Sequence, residues 1–280
     1  MGKMIYGNEI AVQIRQQLSE QIRQSSKPVT LAVVLVGDDP ASASYVKGKE
    51  KACAQVGIKT KTYVYPQDSC QEEILSLVKQ LNKDETVDGI LVQLPLPKQI
   101  NQDVVVQSIA SEKDVDGLTG TSVGKLYRNE ETFVPCTPLG IMAILKSLPI
   151  ELEGKHAVVV GRSHLVGAPV SHLLVDANST VTICHSKTKD VSYFTKQADI
   201  LIVAVGKAKF IKKEDVKEEA IVIDVGVNRM ADGKLCGDVD TEDVLDKVSY
   251  ITPVPKGVGP MTITMLLWNT YYAHQRRYHD

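Results

Sequence analysis

The chain has 280 residues, 43% of them hydrophobic and 24% charged, with 32 basic side chains against 34 acidic ones. Length and apolar content allow two ordinary globular domains. The near-balanced charge gives no field to attract a nucleic-acid backbone or an anionic membrane, so the expected partner is a small molecule. The five cysteines, Cys53, Cys70, Cys136, Cys184 and Cys236, are odd in number, scattered, and form no C-x-x-C pair. Neither a disulfide framework nor a structural zinc site is expected, the histidines show no ligand spacing, and a reducing cytoplasm is the simplest compartment.

The amino terminus, MGKMIYGNEIAVQIRQQL, holds no apolar run resembling a secretory leader. After it, short β-branched runs alternate with longer amphipathic stretches. The runs at 30–37, 59–65 and 88–94 read as strands, with helices over 41–56 and 70–83 between them. FVPCTPLG at 133–140 is a Pro-rich transition, followed by a helix over 138–148. The series then restarts with strands at 156–161, 180–184, 199–206 and 220–226 and a helix over 165–177. Runs apolar on both faces suit parallel strands covered by helices on each side, which predicts a doubly wound α/β architecture. The longest apolar runs are strand-sized, too short to span a bilayer. The tail GPMTITMLLWNTYYAHQRRY has helical apolar spacing, and Pro260 suits a first helical turn. The expected division is a first domain over 1–138, a second over 139–259, and a terminal helix over 260–280 packing back on the first.

VVVGRSHLVGAPVSHLL at 158–174 is the strongest local signal. A strand ends at Gly161 and a helix opens at Gly167; glycines there let the backbone approach a pyrophosphate at the helix N-terminus. The spacing is G-x-S-x-x-x-G, with Ser163 in the middle place, so its meaning depends on the strand–turn–helix context. An NAD site usually carries an acid at the end of the next strand to bind the ribose 2′-hydroxyl. Here that strand ends in Cys184, His185, Ser186, Lys187 and Thr188, with no acid. Arg162 and these polar donors suit a 2′-phosphate, which favours NADP; the alternative is an ordinary solvated loop. Later strand ends place Val205, Gly206, Val227 and Asn228 near an expected nicotinamide, with Asp224 in a structural role.

The helix over 41–56 carries Tyr45 and Lys49 four residues apart, on one face. Lys47, Lys49 and Lys51 are crowded, and like charges favour a neutral amine able to take up a proton. Alone, such a lysine-rich face more often is solvated surface.

The order VGDDPAS (36–42), YVKGK (45–49), LVQLPLP (91–97), KDVDG (113–117), PCTP (135–138), GRSHLVGAP (161–169), TVTICHSKT (180–188) and TPVPKGVGPMT (252–262) resembles the methylenetetrahydrofolate dehydrogenase/cyclohydrolase family over essentially the whole chain. The resemblance implies two α/β domains, an N-terminal folate-binding catalytic domain and a Rossmann-type NADP-binding domain, with a cleft between them, and a homodimer formed through the cofactor domain. It makes Lys49 the catalytic lysine, Tyr45 a folate contact, Gln93 the partner of that lysine and Asp116 the anchor of the pterin ring. Val92, Gln93 and Leu94 would line the folate pocket, as would Pro255, Gly257, Val258 and Gly259. Gly161, Arg162, Ser163, Gly167, His185 and Ser186 would meet NADP. The implied reactions are oxidation of 5,10-methylenetetrahydrofolate to the 5,10-methenyl cation and its hydrolysis to 10-formyltetrahydrofolate, in cytoplasmic one-carbon metabolism feeding purine biosynthesis. No metal is called for, because the cation is already electrophilic. Retention of Tyr45, Lys49 and Gln93 argues against a dehydrogenase lacking the hydrolytic step.

Two departures stand out. The family commonly follows KDVDG with a His-Pro pair and an Asn, where this chain has Thr119, Gly120 and Ser122. A non-catalytic binding paralogue is the reading these changes would favour. The common Pro-Gly-Gly-Val-Gly-Pro reads Pro255-Lys256-Gly257-Val258-Gly259-Pro260, and a lysine is disfavoured at the first glycine if that position needs φ > 0.

Overall fold

The computed structural model describes residues 2–278, and its elements follow the alternation of the sequence. In chain order they are β1 (Lys3–Met4), α1 (Gly7–Gln24), β2 (Thr30–Val36), α2 (Pro40–Val56), β3 (Lys59–Tyr65), α3 (Gln71–Lys83), β4 (Gly89–Val92), α4 (Gln102–Gln107), α5 (Gly120–Tyr127) and α6 (Cys136–Lys146). There follow β5 (His156–Val160), α7 (Gly167–Asp176), β6 (Thr180–Cys184), α8 (Val191–Thr195), β7 (Ile200–Val203) and β8 (Ile221–Asp224). The chain closes with the short β9 (Asn228–Arg229), β10 (Leu235–Cys236), α9 (Thr241–Val244) and β11 (Tyr250–Ile251), and the long α10 (Val258–Tyr278).

Two compact units result: 13–136 with 263–280, and 1–12 with 137–262. The first dozen residues therefore belong with the later half of the chain and not with the first domain, 1–138, that the sequence predicts. The cause is β1, whose Lys3 and Met4 pair in parallel with Tyr250 and Ile251.

In the unit built around 13–136, a parallel sheet has the order β3-β2-β4. β2 is buried along its whole length, because it is the central strand with a neighbour on each side. Its apolar run TLAVVLV meets that demand on both faces. β3, KTKTYVY, alternates instead between exposed and half-buried positions, so it is an edge strand rather than the doubly covered strand expected. Ile74, Leu77, Val78 and Leu81 of α3 pack with Ala32, Val34, Ile90 and Val92 of the sheet. α2 starts on an Asp39 carboxylate that accepts from the Ser42 N–H, with Pro40 in its first turn, and it ends on Gly57 at φ 95°.

In the other unit the sheet order is β1-β11-β8-β7-β5-β6, parallel throughout. The chain runs from β5 outward to β6, then returns past β5 to β7, so the strand order reverses between β5 and β7. In open parallel sheets ligands bind beyond the carboxyl ends of the strands at such a reversal. The smaller sheet also reverses, between β2 and β4. Among the described residues no helix is long and apolar enough to cross a membrane, and no group of three His, Cys, Asp or Glu side chains could hold a metal ion.

Candidate functional site

Lys49 lies in the middle of α2, half-buried, with Tyr45 one turn earlier and about half exposed. Lys47 and Lys51 are exposed. Helix positions two apart diverge, so the lysine crowding read from sequence does not gather these side chains on one face. Lys49 instead meets the end of β4. Gln93 follows that strand directly, its N–H donating to Val34 O at 2.9 Å, and its Oε1 accepts from Lys49 Nζ at 2.9 Å. The amide has only one way to face, because Gln93 Nε2 donates to Leu94 O at 2.6 Å. The lysine is thus oriented by a neutral acceptor. Val92 is buried beneath, and the Leu94–Pro95 peptide is cis.

Asp116 reaches the same neighbourhood through Cys136, the first residue of α6. Burial pushes the Cys136 thiol well above its usual range, and the hydrogen-bonded Asp116 carboxylate pushes it further, while the Lys49 charge opposes. The loop bearing Asp116 is pinned on either side. Val115 O accepts from Cys136 Sγ at 3.4 Å and from Asn269 Nδ2 of α10 at 2.8 Å. Asn269 also donates to Val134 O at 3.0 Å. Sequence reading missed Asn269, since nothing in a helical run marks one asparagine as a clamp 154 positions from its acceptor.

The departures at Thr119 and Ser122 resolve as an internal network. Both are buried, and Asp114 accepts from the Leu118 and Thr119 N–H groups at 3.1 and 2.8 Å. Burial pushes the Asp114 carboxyl up, and bonds from Ser122 and Thr119 oppose this. Thr119 also caps α5 by accepting from the Ser122 N–H. These side chains support the loop from inside.

In the other unit, β5 is followed by Gly161, whose φ is 130° and where a Cβ would lie 2.4 Å from Ala204 O. Gly167 opens α7, and a Cβ there would lie 2.2 Å from Gly161 O. Only glycine fits at either place, so the turn stays thin and the helix N-terminus comes close to the strand end. Ser163 Oγ accepts from the Val166 N–H at 3.2 Å, which shapes the turn. Arg162 and Ser163 are exposed beside it. Past β6, the His185 N–H donates to Thr188 Oγ1 and His185 Nδ1 accepts from the Lys187 N–H, leaving Ser186 and Lys187 exposed at the tip. Several hydrogen-bond donors and no carboxylate face outward here, a set that fits a 2′-phosphate.

Val205 and Gly206 follow β7, and Val227 and Asn228 follow β8. Two buried carboxylates, neither assigned to ligand binding by the sequence, hold these loops. Asp238 accepts from the N–H groups of Val205, Gly206 and Lys207 at 2.7, 2.9 and 2.8 Å, and from Asn228 Nδ2 at 2.9 Å. Asp224 accepts from the N–H groups of Gly226, Asp238 and Val239 at 2.9–3.0 Å, in the structural role expected of it. Burial pushes Asp224 up to about 7 against those three bonds, with the Asp238 charge adding to it.

Pro255 and Gly257 belong to this same unit, in the loop leading into α10, and Val258 and Gly259 open that helix. The Val254–Pro255 peptide is cis, and Lys256 sits at φ 83° with its carbonyl accepting from the Asn8 N–H at 3.1 Å. The glycine-type conformation is therefore kept with a lysine in place.

A glycine turn at a sheet reversal, with no acid at 185–188 directly after β6, is the arrangement that accepts a dinucleotide, and a lysine held by a glutamine at a second reversal is one that can move a proton. Residues 5–116 match the model of the tetrahydrofolate dehydrogenase/cyclohydrolase catalytic domain, and residues 135–278 match the NAD(P)-binding domain of the same family. The chain belongs to that family. It is 53% identical over 276 residues to the bifunctional protein FolD of Bacillus anthracis, covering 98% of this chain and 96% of the relative. The crystal structure of the bifunctional FolD methylenetetrahydrofolate dehydrogenase/cyclohydrolase of Campylobacter jejuni superposes with a TM-score of 0.97 at 48% identity, covering 99% of this chain and all of the other. The Trypanosoma brucei enzyme, solved with NADP and an inhibitor, gives 0.94 at 34% identity, covering all of this chain and 99% of the other.

Proposed function

We propose that this protein oxidises 5,10-methylenetetrahydrofolate with NADP to the 5,10-methenyl cation and hydrolyses that cation to 10-formyltetrahydrofolate. The observation that carries the reading is the Lys49–Gln93 contact of 2.9 Å in a chain whose second unit bears a glycine turn with no acid after β6. NADP, when bound, supplies the hydride acceptor. Gly161, Ser163 and Gly167 would admit its pyrophosphate, and Arg162 and Ser186, with His185 shaping the turn, its 2′-phosphate. Val205, Gly206, Val227 and Asn228 would flank the nicotinamide end.

Asp116 would anchor the pterin through paired N–H donors, and Tyr45, with Val92 and Leu94, would bound the folate. Water then adds to the methenyl carbon, and Lys49, oriented by Gln93, moves the proton that lets the five-membered ring open. A neutral acceptor steers the amine without setting an opposite charge beside it. This arrangement supports the hydrolytic step and weighs against a dehydrogenase alone. We further infer a cytoplasmic homodimer supplying one-carbon units to purine biosynthesis. The edge strand β6, with Ile183 43% exposed, supports pairing through the cofactor unit.

The test is an absorbance assay of full-length protein with 5,10-methylenetetrahydrofolate, run with NADP and with NAD, alongside Lys49→Met. Reduced cofactor should form preferentially with NADP, and Lys49→Met should lose methenyl hydrolysis by at least about 100-fold, the scale of general acid–base catalysis. Undiminished hydrolysis in that variant would refute the role of Lys49.

A further inference from the structure

We propose that Asp238 is a positioning residue for hydride transfer, touching neither cofactor nor folate but fixing the wall on which the nicotinamide ring is placed. The inference rests on the reading of the β5–β7 reversal as the cofactor site. Asp238 is fully buried. An ionised carboxylate has about four acceptor sites, and Asp238 fills them with four donors: three consecutive backbone N–H groups after β7 and the Asn228 side chain after β8. One side chain thus ties together two loops whose residues flank the expected nicotinamide. Its own place is set in turn, because its N–H donates to Asp224 Oδ1 at 2.9 Å.

The surrounding sequence is shaped to this contact. A Cβ at Gly226 would lie 2.2 Å from the Asp238 carboxylate, and one at Gly237 would lie 1.8 Å from Asp224 Oδ2. Both glycines make room for a carboxylate rather than for a ligand. The loop after β7 therefore keeps none of these three N–H groups for an anionic cofactor. Its contribution is shape, held by Asp238 at the sheet end where Ala204 N–H also donates to Val160 O at 2.8 Å. Asparagine cannot replace the carboxylate: its single oxygen leaves about two of the four donors unmatched and aims an NH2 group at backbone N–H groups.

Because a misplacement of about 1 Å can cost on the order of 100-fold in rate, the effect should fall on the hydride step. Asp238→Asn should lower the dehydrogenase kcat by about 10- to 100-fold, with the KM for NADP changed by less than about threefold. The primary isotope effect with substrate deuterated at the one-carbon bridge should rise. Hydrolysis of 5,10-methenyltetrahydrofolate without NADP serves as the internal control, since Lys49, Gln93 and Asp116 lie in the other unit, and it should stay near wild type. Asp238→Glu keeps the charge and the acceptor number while displacing them, and should show the same split more mildly. Equal loss of both activities in both variants would make Asp238 a fold element only and overturn the proposal, as would an unchanged kcat or isotope effect. Failure of the functional reading would show instead in the wild-type protein, as an absence of NADP reduction.

Discussion

Asn269 offers the sharpest test of how the loop that carries Asp116 is held. Its amide serves two carbonyls, Val115 O at 2.8 Å and Val134 O at 3.0 Å, with Cys136 Sγ at 3.8 Å, and the residue is buried. Asn269→Leu keeps the volume and removes both donors. A buried carbonyl left without a partner costs about 1–3 kcal/mol. Val115 keeps the Cys136 thiol, which places its loss near the low end, and Val134 is only part-buried. Added apolar burial returns roughly 1 kcal/mol. With about 1 kcal/mol lost at each carbonyl, the predicted net loss is about 1 kcal/mol, and Asn269→Asp should be worse because a carboxylate would face two carbonyl oxygens. Trp268, the only tryptophan, is the adjacent residue, so its fluorescence in urea reports unfolding of this unit. The loosened loop also carries Asp116, so the KM for the folate substrate should rise several-fold while that for NADP stays constant. A Leu variant within ~0.5 kcal/mol of wild type, the usual range of an uninvolved surface position, or an Asp variant more stable than Leu, would refute the clamp.

Two further predictions concern the other unit. Lys256→Gly relieves an L-residue at φ 83°. That conformation costs about 1–2 kcal/mol, and the added freedom of the unfolded chain takes back ~0.4–1. The melting temperature should therefore rise by about 2 °C, and a fall on thermal melting would contradict it. Asp224 is an acid whose folded pKa is raised, to about 7. It therefore stabilises the fold fully below the unfolded pKa of about 3.9, and that contribution, up to roughly 4 kcal/mol, is lost as pH rises through 7. Asp224→Asn should flatten the stability profile between about pH 4 and pH 8, measured by denaturant midpoints; an unchanged slope would show that Asp224 does not carry it.

The parts of the fold that could be read from sequence are those where burial demands a local pattern. β2 and β5 read plainly because central parallel strands must be apolar on both faces, and the turn between β5 and α7 because close approach requires glycine. α1 carried a usable signal that went unread, its buried Ala11, Leu18 and Ile22 repeating at helical spacing. β1 and β11 carried none: two residues each, they exist only because they pair. The site divides in the same way. Helical spacing puts Tyr45 and Lys49 on one face, but their roles, like those of Gln93 and Asp116, come from the family resemblance alone. Asp238 and Asn269 act on backbone groups tens of residues or more away, which leaves no periodicity to detect.

That division also explains how the chain tolerates its departures from the family pattern. Thr119 and Ser122 are buried and turned onto Asp114, so the change alters what supports the loop that carries Asp116, while Asp116 keeps its place beside Cys136. Lys256 adopts the backbone of the glycine it replaces, at the cost of strain, and its carbonyl still accepts from Asn8. Neither substitution interrupts the Lys49–Gln93–Leu94 relay of hydrogen bonds. Support residues can therefore change while the Lys49–Gln93 pair stays fixed, provided each new side chain closes its own hydrogen bonds within the buried layer. On that argument Ser122→Ala, which opens the network on Asp114, is a heavier perturbation than its size suggests, whereas a change at the exposed Lys256 side chain is a matter of backbone strain alone.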